Sequence, residues 1–272
     1  MPDIIIVGGG PAGLSAAISA RQRNNSVTVI SNDAAGSGLY KAGRVDNYPG
    51  IPGVSGAGLI DMLTAHARDA GAELVTGQVT AILPMGDTIS VGYGAEILTA
   101  KSVILAIGVA STSLFPGEEE FLGRGVSYCA TCDGMLFRGK RVCVACFTPE
   151  AHEEAGYLAS IGCDVVVLEP SGIEVIGDKS VTSIIADGEE IKCDGVFILR
   201  RTVAPRLLLA GLEADAGYIR VTPRGETNIP GVFAAGDCVG APLQVAKAVG
   251  EGQVAALSAS EFIARRSRGN DI

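Results

Sequence analysis

Four consecutive β-branched residues, Ile4-Ile5-Ile6-Val7, run directly into Gly8-Gly9-Gly10-Pro11-Ala12-Gly13, and this junction constrains the chain more than any other stretch. A continuous apolar run of this kind reads as a strand buried on both faces. Leu14, Ala17 and Ile18 then recur with helical spacing, so the order is strand, tight turn, helix. Gly8, Gly10 and Gly13 stand at the G-x-G-x-x-G positions, where the backbone approaches a pyrophosphate at a helix amino terminus. Pro11 suits the first helical position and Ala12 follows it. A second strand, Val27 to Ile30, completes a βαβ unit of the kind that binds a dinucleotide. It ends in Ser31-Asn32-Asp33, where either Asp33 or the polar pair could serve a ribose. The bland alternative is a glycine-packed turn with no ligand.

The acidic balance narrows the functions further. Among 272 residues, 21 basic against 30 acidic side chains leave a net charge of −9. That argues against a nucleic-acid partner, which needs a basic face. The length fits one large or two modest domains with real cores. The apolar runs, such as Val103 to Val109, are strand-sized, so no membrane span is expected. Met1-Pro2-Asp3 has neither the basic flank nor the cleavage site of a signal peptide, and the cytoplasm is the expected location. Two His, His66 and His152, leave almost no material for a His-based zinc site or a triad.

The α/β rhythm occurs twice. Helical spacing covers 58–70, strands are expected at 73–76, 79–83 and 102–107, and residues 114–124 read as a linker. The rhythm restarts with a strand at 141–145, a helix at 149–161, and strands at 164–168 and 196–199. A long Ala-rich helix over 244–264 closes the chain. The expected fold class is α/β with two Rossmann-like lobes, the second inserted into the first. The outer lobe would take 1–113 and 224–272, and the inner lobe 114–223.

Seven Cys are too few and too odd in number for a secreted disulfide scaffold, so particular thiols carry the interest. In Cys129-Ala130-Thr131-Cys132-Asp133-Gly134 two thiols stand three residues apart, where a disulfide can close at the start of a helix whose positive end favours a thiolate. Asp133 is the nearby group for moving a proton to the leaving thiol. Cys143 and Cys146 share the C-x-x-C spacing, which makes a four-Cys zinc module the rival reading. The pattern around them is that of a strand, however, and Cys143, Cys146, Cys163 and Cys193 read as buried small hydrophobes, with no metal expected.

Together, Gly8 to Gly13, Asn47-Tyr48-Pro49-Gly50, Ala106-Ile107-Gly108, Cys129 to Gly134 and Phe233-Ala234-Ala235-Gly236-Asp237 resemble the low-molecular-weight thioredoxin reductases from end to end. That resemblance implies an FAD-dependent disulfide oxidoreductase that reduces thioredoxin or a similar disulfide protein, and a homodimer. It implies that Asp237, after Gly236, holds the ribityl chain of FAD. Gln244, Val245 and Ala246 would border the isoalloxazine, and the stretch from Ser31 and Asn32 through Gly38 to Leu39 would surround the adenosine. Asn47, Val79, Ala106 and Gly108 are further cofactor positions that it implies. Cys132 would face the flavin and Cys129 would attack the partner's disulfide.

The departures point to a branch of that family. Where the second lobe should carry a Gly-rich NADPH loop the chain reads Val144-Ala145-Cys146-Phe147-Thr148-Pro149, so Cβ atoms and the Phe147 ring take the space of a pyrophosphate. Glu169 stands where a 2′-phosphate needs Arg, and Arg200-Arg201 replaces a glycine near the nicotinamide path. The resemblance is therefore to the NADPH-independent branch, in which ferredoxin or another one-electron donor reduces the FAD. Two alternatives stand beside it: an atypical NAD(P)H site in which Glu169 grips a 2′-hydroxyl, and a flavin redox sensor without turnover. Since ferredoxins and thioredoxins are typically acidic, docking would need local basic patches. Arg200, Arg201 and Arg206 form one candidate, and Arg265, Arg266 and Arg268 another.

Overall fold

The structure, a computed structural model, describes residues 1–32, 39–109, 114–147, 149–168, 171–199, 205–215 and 217–269. The chain folds as two compact units, one of Met1–Ala110 with Ala204–Ile272 and one of Ser111–Val203, so the second is inserted into the first. The return to the outer unit comes at Ala204 and not at 224 as the composition suggested, because the segment after it packs within that unit.

The first unit begins with β1 (Ile4–Val7), α1 (Pro11–Arg21), β2 (Val27–Ser31), α2 (Gly56–Asp69) and β3 (Glu73–Thr76). An antiparallel sheet of β4 (Val79–Met85), β5 (Thr88–Tyr93) and β6 (Glu96–Ala100) follows, and β7 (Ser102–Leu105) returns to the main sheet. In the second unit come β8 (Val126–Ser127), α3 (Ala130–Asp133), β9 (Arg141–Cys146), α4 (Pro149–Ser160) and β10 (Asp164–Leu168). After these, β11 (Glu174–Gly177), β12 (Val181–Ala186) and β13 (Glu189–Lys192) form an antiparallel sheet, and β14 (Gly195–Leu199) closes the unit. The first unit resumes with α5 (Pro205–Leu208), β15 (Ala214–Asp215), β16 (Tyr218–Ile219), β17 (Val232–Ala234) and α6 (Val245–Ser267).

Both main sheets are parallel, in the orders β17-β7-β1-β2-β3 and β10-β9-β14-β8. Every residue of β1 and of β7 is buried, as central parallel strands covered on both faces require. The core of the first unit is small and aliphatic, with Ala16, Ala17 and Ala20 of α1 meeting Ala255, Ala256 and Ala259 of α6. Ala faces let two helices approach closely, which explains why the last helix is so rich in Ala. The second core gathers Val142, Val144, Leu158 and Phe197, with Phe137 edge-on to Phe197 at 5.3 Å.

Of the antiparallel sheets β4-β5-β6 and β11-β12-β13, the sequence reading placed a strand at 79–83 alone; β5, β6 and the whole of the second sheet were not expected. In β5 the alternation of Ile89 and Val91 inward was present, but Gly92 interrupted it.

Candidate active site

In the first unit, the expected cofactor residues collect at the carboxyl ends of neighbouring parallel strands. Gly8 follows β1, Ser31 ends β2, Ala106 follows β7, and Gly236 and Asp237 follow β17. Crevices at this end of an open parallel sheet are where such folds bind ligands. Gly8 has φ +112°, and a Cβ on it would lie 2.2 Å from the Ala106 carbonyl oxygen. A Cβ on Gly13 would lie 1.9 Å from the Gly8 carbonyl oxygen, so the helix can seat on the strand in no other way. At Gly10, by contrast, a Cβ would meet nothing within 4 Å. Its face is open, at the start of an 11-residue helix whose first N–H groups lack helical partners.

Asp237 supplies the complementary feature. Its Oδ1 is buried without a hydrogen-bond partner, which is costly for a carboxylate oxygen unless a donor completes it. Burial pushes this carboxyl up, Lys247 pulls it back, and Glu251 raises it further. A hydroxyl-bearing chain in front of the turn would supply the missing donor, so the residues present fit the FAD that the motif implies. Gln244, which caps α6, accepts a hydrogen bond from Asn47 at 2.7 Å, so two expected cofactor residues from distant parts of the chain meet. Val79 is buried at the start of β4, Val245 is half-buried and Ala246 is exposed at the start of α6, and Leu39 lies in a turn. Gly108 has φ +69° and open space around it, and Asn32 follows β2. Gly38 and Asp33 lie outside the described residues.

The dithiol segment belongs to the second unit. Cys129 is disulfide-bonded, whereas Cys143, Cys146, Cys163, Cys193 and Cys238 are free. The Ser127 hydroxyl accepts the Cys129 backbone N–H at 3.1 Å and donates to Asp133 Oδ2 at 2.6 Å. A short bonded chain thus joins the backbone of the first cysteine to the carboxylate after the second. Upstream, the wholly buried Glu118 accepts from the Tyr128 hydroxyl and from the Phe115 N–H, both at 2.9 Å. This anchors the residue just before Cys129. Gly134 is required by packing, since a Cβ there would lie 2.8 Å from Leu158 Cδ2.

Two details depart from the expectation. The helix after Cys129 is a single turn, Ala130–Asp133, continued by a 3₁₀ turn at Gly134–Phe137, so it contributes little macrodipole to favour a thiolate. Instead Glu154 of α4 accepts the Ala130 N–H at 3.2 Å, placing a carboxylate there. Burial pushes Glu154 up, and the hydrogen bond from Ala130 opposes this. Sequence reasoning passed over Glu154, although it lies on the face of α4 that buries Ala151, Ala155 and Leu158, where an acid is out of place. Ser127 and Lys247 were also passed over.

The zinc alternative meets a geometric obstacle. Cys143 and Cys146 are an odd number of residues apart on β9, so they point to opposite faces. Cys146 packs with the Val142 and Val144 face, while Cys143 accepts a hydrogen bond from the Cys193 thiol, which lowers Cys143 and raises Cys193. Among the described residues, no three His, Cys, Asp or Glu side chains gather as a metal site.

Where a second nucleotide loop would lie, Phe147 packs its ring on Phe115 at 5.8 Å, and its N–H donates to the Leu199 carbonyl at 3.0 Å. Pro149 opens α4 without an N–H to offer a phosphate. Glu169, Arg200 and Arg201 lie outside the described residues. The tail arginines are largely engaged within the first unit: Arg265 pairs with Glu261 at 2.5 Å, and Arg266 pairs with Asp87 at 2.5 Å and stacks on Phe262.

The chain matches the pyridine nucleotide-disulphide oxidoreductase family over residues 2–173 and 170–252. A thioredoxin reductase of Listeria monocytogenes is 30% identical over 298 aligned residues, covering 96% of this chain and 93% of the relative. A ferredoxin-flavin thioredoxin reductase from Clostridium acetobutylicum superposes with TM-score 0.91 at 37% identity, covering 98% of this chain and 99% of that one. A second structure of that description gives TM-score 0.85 at 39% identity, covering 97% and 98%.

Proposed function

The chain belongs to the thioredoxin reductases, FAD-binding flavoenzymes of the pyridine nucleotide-disulphide oxidoreductase family, and on that basis we propose that it reduces thioredoxin through Cys129 and Cys132 with electrons from ferredoxin and not from NADPH. The observation that carries this reading is an intact reactive disulfide segment, with Cys129 bonded and Ser127 tied to Asp133, in the same unit as a nucleotide turn built of Phe147 and Pro149. The likeness to the ferredoxin-flavin enzyme supports the choice of donor.

The residues that would hold FAD are the Gly8–Gly13 turn for its pyrophosphate, Ser31, Asn32 and Leu39 for its adenosine side, and Asp237 for its ribityl hydroxyls. Bound there, FAD supplies the ability to accept electrons one at a time and pass them on in pairs. The rest of the chemistry lies in this chain's own residues. In the reduced state the Cys129 thiolate attacks one sulfur of the partner's disulfide, and the other partner sulfur leaves. Cys132 then attacks Cys129, re-forming the internal disulfide and releasing the second partner sulfur. Asp133, fixed by Ser127, takes the proton of the attacking Cys132 thiol and returns it to the leaving thiolate. Two electrons reach the partner; one proton comes from Cys132 through Asp133, and the first leaving sulfur takes the other from solvent, replacing the one Cys129 released on ionising.

The reading extends to a cytoplasmic homodimer. Among the described residues no helix is long and apolar enough to cross a membrane. The test is transfer from chemically reduced enzyme to a panel of thioredoxins. Rapid reduction that is lost in Cys129→Ser supports turnover, whereas no transfer to any of them leaves a redox sensor as the better reading.

A further inference from the structure

Lys247 lies one position beyond the Gln244–Ala246 stretch and is mostly buried, its side chain 19% exposed. Its ammonium donates to the Gly240 carbonyl at 2.8 Å, to the Gly236 carbonyl at 3.3 Å and to Glu251 Oε2 at 3.0 Å. Glu251 Oε2 in turn accepts the Gly236 N–H at 2.9 Å. All three ammonium donors are therefore used, as a lysine held out of water requires.

The segment so gripped is the 3₁₀ turn Asp237–Val239, which is flanked by Gly236 at φ +86° and Gly240 at φ +127°. Two glycines in this region give a short turn freedom at both ends, and freedom there would leave the Asp237 carboxylate unaimed. One side chain closes both ends onto α6. The carboxylate inside the loop is the one whose Oδ1 lacks a partner.

We propose that Lys247 is a positioning residue of the flavin site: by tying Gly236 and Gly240 to α6 it aims the Asp237 carboxylate at a hydroxyl of FAD and sets a positive charge beside it. The proposal rests on Asp237 being the acceptor for that hydroxyl. The charge has its own consequence. Burial pushes Asp237 up and Glu251 adds to this, while Lys247 opposes both. Of the neighbouring groups, Lys247 and Glu251 come from α6 and Cys238 from the turn itself, while β16, packed against the turn, carries Tyr218. Arg220 just beyond is paired with Asp215. Removing the lysine leaves Asp237 facing burial and Glu251 alone, so its carboxyl protonates at higher pH and the charged acceptor becomes a weaker, neutral one.

The test is FAD retention by the purified holoprotein, read as flavin fluorescence released on dilution between about pH 5 and pH 8. Lys247→Met is expected to weaken FAD binding roughly tenfold or more, the loss of several charge-assisted hydrogen bonds. Its affinity should fall off at a higher pH than that of the wild type, and Lys247→Arg should restore most of both. Lys247→Gln, which keeps a donor for the carbonyls and loses the charge, should retain FAD near pH 8 and show the shifted profile. Lys247→Met or Lys247→Gln with wild-type affinity and an unshifted profile overturns the proposal. Asp237→Asn separates the two levels. If it too retains FAD normally, the role of Asp237 fails; if it loses FAD while the Lys247 variants do not, the lysine's role alone fails.

Discussion

Ser127 donates to Asp133 across 2.6 Å while accepting the Cys129 backbone N–H, so the carboxylate beside the reactive disulfide is held by the residue before it in the strand. Asp133 is thereby tethered beside Cys129. Asp133→Asn should lower thioredoxin reduction by about 10²–10⁴-fold, the usual worth of a positioned acid–base group. Ser127→Ala should lower it less, because the carboxylate remains but loses its anchor. Single-turnover rates of partner reduction separate the two. Equal, small effects would place the proton elsewhere.

The two cysteines are expected to differ in what they trap. With Cys132→Ser, the nucleophile forms a mixed disulfide with thioredoxin and nothing resolves it, so a covalent complex should accumulate on non-reducing gels. Cys129→Ser should give none. Accumulation in the second variant and not in the first would exchange the two roles.

Glu154 should influence the couple from the other side. A carboxylate at the Ala130 N–H disfavours a thiolate nearby, so Glu154→Gln should lower the reactive thiol pKa. The disulfide should also become easier to reduce, by roughly threefold to tenfold in its exchange equilibrium with a reference dithiol. Thiol titration and redox equilibration measure the two effects. No shift in either would mean that solvent screens the carboxylate.

Much of this site was legible in the chain because its parts are local. Gly8 to Gly13 and Cys129 to Gly134 are short strings whose spacing encodes local geometry; the first lies in the strand-to-helix turn expected of it, whereas the second opens a single helical turn and not a full helix. What was not legible depended on tertiary packing. Glu154 has meaning once α4 lies against the turn after Cys129, and Lys247 once α6 meets the turn after β17. The early return to the outer unit was masked by Pro223 to Pro230, whose turn residues imitate a domain boundary. The pairing of the cationic tail was hidden because Asp87, the partner of Arg266, is far away in sequence.

Acid stability offers a test of the first unit. Although burial opposes it, hydrogen bonds from Lys101 and Ser26 hold the Asp3 carboxyl at about 2, where 3.8 is usual. A carboxyl lowered on folding stabilises above its unfolded value, and that stability is lost as pH falls through the folded one. Asp3 joins the starts of β1 and β2 and pairs with Lys101 at 2.7 Å. Asp3→Asn should cost about 1 kcal/mol near neutrality, allowing for solvent screening. The gap between variant and wild type should close as the pH drops from about 4 toward 2. Urea unfolding over that range measures it.

In the proposed reaction electrons enter from a one-electron carrier, because Phe147 and Pro149 stand where a second nucleotide turn would lie. Anaerobic mixing of the oxidised holoprotein with reduced ferredoxin or with NADPH, followed by flavin absorbance, decides between the two donors. Ferredoxin should bleach the flavin within the time of a turnover and NADPH should not. Bleaching by NADPH at a catalytically useful rate, with none by ferredoxin, would contradict it.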